Sequence, residues 1–221
     1  CHPFAVEIKD FTKPVDIPAV DVPAGYTTLF VFPYSVGFQF SGFKNLAALN
    51  EAITKRLKNL GVTTLLFMRH LELIEYEIKI PGKEASGEYL LDAEPINDHC
   101  TRVSAIESED DKTDESLSFI KFSMPIDSRV STRTIDVAFT VATGKEGKTT
   151  FQKAKNPYIS VYFPTETESK LDFIVQGPFR TTPNRSSVPA DEEENEALAE
   201  QTAKLLRQSV LELRDMGLLD L

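Results

Sequence analysis

Cysteine is scarce. Cys1 and Cys100 are the two in 221 residues, too few for a disulfide framework, and a reducing cytoplasm is the default setting for such a chain. No apolar run approaches the ~20 residues of a helical membrane span, so no membrane partner is expected. Basic excess is lacking: 24 Lys and Arg against 34 Asp and Glu leave a net charge of -10, and bulk electrostatics of that sign argue against a nucleic-acid partner. The start, Cys1-His2-Pro3, has neither the basic and apolar regions of a secretory signal nor an initiator Met, and reads as a fragment or processed chain. The phosphate-loop and dinucleotide glycine motifs are missing, as are paired CxxC zinc ligands and a GxSxG nucleophile elbow. Asp98-His99-Cys100 sets three ligand types side by side, but neighbours on a strand point to opposite faces. It is expected to be a loop entering a strand, and no metal site is expected. His70 is expected at a helix end or packed, and the acidic runs 107–115 and 191–196 as solvated charge.

What is there reads as an α+β chain. Runs with period-two alternation or β-branched and aromatic content predict strands over 4–9, 27–32, 74–80, 87–92, 101–106, 117–124, 134–142, 158–163 and 171–176. Polar loops are expected over 107–116 and 143–157, and the later strands form a largely antiparallel sheet with one wet face. Leu46, Leu49, Ile53, Leu57 and Leu60 make an apolar stripe on a helix that Asn45 caps and Gly61 stops. A longer closing helix spans about 192–216. Leu198, Thr202, Leu205, Leu206, Val210 and Leu213 form its buried face, Asp191 with Glu194 a capping-box-like start, and Gly217 its stop. The change of texture at Pro81-Gly82 places a domain boundary between 1–80 and 81–221.

"GPFRTTPNRSSVP" (177–189) is the stretch most suggestive of chemistry. Arg180 and Arg185 each carry a planar fork of donors suited to phosphate or carboxylate. Thr181, Thr182, Asn184, Ser186 and Ser187 add short-range donors, Pro183 stiffens the turn, and a helix N-terminus follows, which favours anions. Two readings stay open: the arginines pair with the acidic helix start while Asn184 braces a turn, or they bind an anion.

"LDFIVQGPFRTTPNRSSVP", followed by an acidic helix and "ELRDMGLL", resembles the segment after the ATP-binding domain in sacsin-like proteins. These belong to the ATPase superfamily of gyrase B, the ninety-kilodalton heat-shock chaperones, MutL and histidine kinases. Thr182-Pro183-Asn184-Arg185 matches the TSNR-type motif of the sacsin repeats. "GYTTLFVF", then the helix from Asn45 and "LLFMRHLELIEYEI", is similar to the end of such an ATP-binding domain, with Tyr26 intervening between Gly25 and Thr27. The middle, roughly 85–155, matches in strand pattern alone. The family's metal-binding Asn helix, DxGxG loop and glycine-rich lid have no counterpart here. The resemblance therefore implies a short α/β tail of a nucleotide-binding domain (1–80), followed by a middle, transducer-like domain (81–221): a mostly antiparallel sheet closed by the C-terminal helix. It implies no cofactor in this chain, with ATP and Mg belonging to the full-length protein. The implied partners are the upstream ATP-binding domain and a client protein. Arg185, then Arg180, are the implied phosphate contacts, with Asn184 and Thr182 beside them. The alternative is a non-catalytic interaction or scaffold domain.

Overall fold

In a computed structural model of the chain, the structure describes residues 42–80, 82–109, 112–127, 130–143, 148–155 and 157–219. The strands expected over 4–9 and 27–32 lie outside the described residues. The chain divides into two compact units, Cys1–Thr54 and Lys55–Leu221, and the first helix, α1 (Leu46–Lys58), crosses that division. Its start follows expectation: the Ala48 amide donates to Asn45 Oδ1 at 2.9 Å, satisfying a donor with no intrahelical acceptor. Lys55, Arg56 and Lys58 in the last turn suit the negative end of the helix dipole. Gly61, at φ +84°, occupies the left-handed region that terminates helices.

The second unit is built on one mixed sheet of nine strands: β1 (Leu73–Ile80), β2 (Lys83–Pro95), β3 (Cys100–Glu109), β4 (Lys112–Asp127), β5 (Val130–Thr143), β6 (Thr149–Gln152), β7 (Tyr158–Val161), β8 (Phe163–Glu168) and β9 (Ile174–Gln176). The order is β1-β2-β3-β4-β5-β9-β7-β8, with β6 also paired to β5. Every pairing is antiparallel except β7 with β9. α2 (Glu193–Asp215) closes the chain. The α+β class, the mainly antiparallel sheet and the C-terminal helix therefore stand as the sequence implied.

Both faces of the central strands are covered, which corrects the expectation of a wet face. On one face Cys100, Ile120, Phe122, Ile135, Val137 and Val175 meet Leu198, Leu205 and Leu213 of α2. On the other, Tyr89, Val103, Phe119, Ala138 and Ile174 are roofed by Val62, Leu65, Leu66 and Phe67. Those roof residues come from the turns that follow α1. Period two sorts the residues between the faces: Ile120 and Phe122 go one way, Phe119 and Lys121 the other.

Other departures have local causes. The polar stretch 107–116 is largely hairpin, because β3 runs to Glu109 and β4 begins at Lys112. Lysines compensate its charge, Lys58 pairing with Glu109 and Lys155 with Glu115. The loop expected over 143–157 contains β6. The single strand expected over 158–163 turns back at Tyr162, whose φ is +66°, and becomes β7 and β8. On α2 the buried line is Asn195, Leu198, Thr202, Leu205, Ser209 and Leu213, while Val210 is 38% exposed. Polar Ser209 takes the inward place, and its hydroxyl donates to the Leu205 carbonyl at 2.9 Å. No capping box forms: the N-cap is Glu192, one residue on from Asp191, with no side-chain cap bond, and Glu194 pairs with Arg180 instead. The strands on the two sides of the expected boundary at 80/81 pair with each other, β1 with β2, in eight register pairs that run from Leu73↔Leu90 to Ile80↔Lys83. The compact units divide at Thr54/Lys55 instead.

Candidate functional site

β9 ends at Gln176, and the Gly177 amide donates to the Ser160 carbonyl of β7 at 3.1 Å. Gly177 is required here. A Cβ on it would lie 2.8 Å from the Phe179 ring, which is itself buried in the core beneath α2. Beyond Phe179, Asn195 in the first turn of α2 fixes the chain. Its Oδ1 accepts from the Arg180 amide (2.7 Å), and its Nδ2 donates to the carbonyls of Arg180 (3.1 Å) and Pro189 (2.7 Å). A buried amide thereby clamps both ends of the 180–189 loop. Sequence reasoning passed over it; the signal was an Asn three residues before Leu198 on the apolar face.

Within the loop, the Arg185 amide donates to the Thr182 carbonyl at 2.7 Å and the Thr182 amide to the Ser187 carbonyl at 3.0 Å. Pro183 sits inside that turn with its φ preset. Asn184 Oδ1 accepts from Thr182 Oγ1 (2.7 Å), Ser186 Oγ (2.9 Å) and the Ser186 amide (3.3 Å). Thr182 and Asn184, expected beside a nucleotide, are thus engaged in bracing the loop. Arg185 carries the strain, at φ +60° in the left-handed region.

The two arginines part company. Arg180 Nε and Nη2 grip Glu194 Oε2 and Oε1 at 2.6 and 2.8 Å, a bidentate pair that raises the guanidinium further and holds the Glu194 carboxyl below its usual range. Arg185 is exposed, and among the described residues its guanidinium makes one hydrogen bond, from Nη2 to the Val161 carbonyl at 3.2 Å. That carbonyl leads into the turn at Tyr162 (38% exposed) and Phe163 (51% exposed). Two left-handed residues, Tyr162 and Arg185, therefore meet at one surface with two exposed rings and one accessible cation.

The Asp98-His99-Cys100 stretch is a turn followed by a strand, as expected. His99 Nε2 and Asn97 Nδ2 meet Glu212 of α2 at 2.7 and 2.5 Å, tying the β2–β3 turn to the helix. His70 is exposed in a bend. Among the described residues no three His, Cys, Asp or Glu side chains gather as a metal site, and no helix is long and apolar enough to cross a membrane.

A second polar cluster went unseen in the sequence. Ser123 of β4, Asp136 of β5 and Gln176 of β9 lie in cross-strand register on the face under the 62–67 roof. Burial pushes the Asp136 carboxyl up, against hydrogen bonds from Ser123 and Thr134 and the charge of Lys121. Burial also lowers Lys121, whose Nζ donates to the Leu66 carbonyl at 3.2 Å. Arg69 Nη2 donates to Thr134 Oγ1, which donates to Asp136 Oδ2, both at 3.1 Å. Gln176 Oε1 is buried without a partner among the described residues. No family model, curated protein or solved structure matches the chain.

Proposed function

We propose that this chain is a coupling module of a sacsin-like, chaperone-type ATPase, the tail of an ATP-binding domain followed by a transducer-like domain. Arg185 is the cation offered to the terminal phosphate when the nucleotide-bearing domain closes on it. ATP and Mg would be held by residues upstream, and of this chain's own residues Arg185 is the one we propose to meet the nucleotide. The reading rests on the 177–189 resemblance together with one observation: Arg185 is exposed on a loop braced by Thr182, Asn184 and Asn195, whereas Arg180 is neutralised by Glu194. A held cation needs no search for its position, and in other phosphoryl-transfer systems an arginine supplied across an interface is worth about 10³–10⁵ in rate. The setting would be cytoplasmic and the output a rearrangement of a client protein.

One observation favours the second reading, a non-catalytic interaction domain. Arg185 donates to the Val161 carbonyl and so braces the turn that exposes Tyr162 and Phe163. Steady-state ATP turnover of the longer protein separates the two. Under the first reading, Arg185→Ala cuts kcat by at least about 10³ with nucleotide affinity unchanged, and Arg180→Ala has a much smaller effect. Turnover within a few-fold of wild type in Arg185→Ala would leave the bracing role alone standing.

A further inference from the structure

We propose that the chain self-associates as a twofold-symmetric dimer in which α2 lies antiparallel against α2 of a second copy. This goes beyond the coupling role and depends on no nucleotide.

α2 carries more apolar surface than the fold uses. Its buried line, from Asn195 through Leu198, Thr202, Leu205 and Ser209 to Leu213, faces inward. Roughly a quarter-turn round the helix runs a second line, Ala199, Ala203, Leu206 and Val210. Both alanines are exposed, Leu206 is half-buried and Val210 is 38% exposed. Their alternating steps of four and three are those of a seam between two helices. Single apolar residues scattered on a surface are ordinary, whereas a continuous line of them marks a contact.

Charge selects the occupant. On the outer flank of the seam stand four exposed residues, Glu196 and Glu200 in its N-terminal half and Arg207 and Arg214 in its C-terminal half. Two such helices laid parallel would set acid on acid and base on base. Laid antiparallel, they set acid on base along the whole flank. In the register that puts Ala199 against Val210 and Ala203 against Leu206 of the second copy, small meets large in every layer. The same register brings Glu200 opposite Arg207 and Glu196 opposite Arg214, each twice by symmetry. One alignment thus satisfies volume and charge together. Among the described residues neither Glu200 nor Arg207 has an ion pair of its own. Arg214 holds Asp215 of its own chain at 2.7 and 2.9 Å, an exposed pair that Glu196 of the second copy would share. Each copy carries a net charge of -10, so approach is opposed except where bases face acids. Exposed ion pairs contribute little affinity; here they fix direction and register while the apolar line supplies the attraction. The seam is about 17 Å long, short against a standard interface, so the dimer is weak and reversible.

Sedimentation equilibrium of the full chain from about 1 µM to about 1 mM should show a reversible monomer–dimer equilibrium. Charge reversal then tests the register. Glu200→Arg sets arginine against arginine at both symmetric contacts, and Arg207→Glu sets acid against acid; each should weaken the dimer about tenfold or more. The double variant Glu200→Arg/Arg207→Glu re-forms both pairs and should recover dimerisation to within a few-fold of wild type. All these side chains are exposed, so every variant should keep the wild-type circular dichroism and melting profile. Ala203→Gln, which thickens a central layer of the seam, should leave the folded chain monomeric. A wild-type chain that stays monomeric throughout, a dimer indifferent to these substitutions, or a double variant no better than the single ones would each overturn the assignment.

Discussion

Arg185 is held at a backbone angle that costs a side-chain-bearing residue about 1–2 kcal/mol, and its hydrogen bond to the Val161 carbonyl returns about 1 kcal/mol. Substitution separates the two. Arg185→Ala keeps the strain and loses the bond, whereas Arg185→Gly loses both, so the glycine variant should be the more stable by about 1 kcal/mol in urea titrations. An equal or reversed order would mean that the loop is not strained there. Cys100 is a second residue whose setting dictates its behaviour. Burial, reinforced by Glu212, pushes its thiol up to about 11 from an ordinary 9.0. At pH 8 an aromatic disulfide reagent should therefore label it far more slowly in the native protein than in urea. Labelling at the free-thiol rate would show that the β2–β3 turn opens readily. Neither property was visible in the sequence: the "TPNR" block marks a turn, but does not tell that its last residue takes a left-handed angle or that its guanidinium reaches the Val161 carbonyl, 24 positions away.

Among the elements, β4 and β5 carry an arrangement that the face-sorting rule alone would forbid: Lys121 and Asp136 on a covered face. The acid shifts up and the base shifts down, so each is costly in charged form and each offsets part of the other's cost. Removing one partner leaves a buried charge. Asp136→Leu or Lys121→Met alone should cost about 3 kcal/mol, and the double variant should recover most of that loss; additive losses would mean that the two do not interact. The raised acid also sets a sign with pH. Above its ordinary 3.8 the unfolded chain releases the Asp136 proton while the folded chain retains it, so this group's contribution falls as pH rises toward its folded value. The wild type should lose stability over that span relative to the double variant. Element identity was legible where periodicity was strong, in α1, α2 and β1 to β5. It failed where turns decide, since no alternation marks the reversal at Tyr162, and helical spacing does not tell Val210 from Ser209 as the inward residue.

For the molecule as a whole, the sequence places a division at Pro81-Gly82 because composition changes there. A proline-glycine pair, however, reads the same whether it ends a domain or turns a hairpin. The ambiguity is resolved only by pairing across it: Leu73–Ile80 completes the sheet edge beside β2, and the turns before it lay Val62, Leu65, Leu66 and Phe67 on the sheet face. The consequence can be tested by truncation. A chain beginning at Lys55 retains the roof and the edge strand and should unfold in a single cooperative transition. A chain beginning at Lys83 lacks both. Burying a large apolar side chain stabilises by about 1.5–3 kcal/mol, so four such residues contribute on the order of 6–12 kcal/mol, as much as the ~5–15 kcal/mol net stability of a typical domain. It would also bare Tyr89, Leu91 and Phe119 to water and leave the Tyr89 hydroxyl without the Leu57 carbonyl that it meets at 2.7 Å. The shorter chain is therefore expected to show no cooperative thermal transition by circular dichroism and to aggregate or be proteolysed rapidly. If it instead melts within a few degrees of the chain from Lys55, the roof is dispensable, and the division at 80/81 describes the folding units after all.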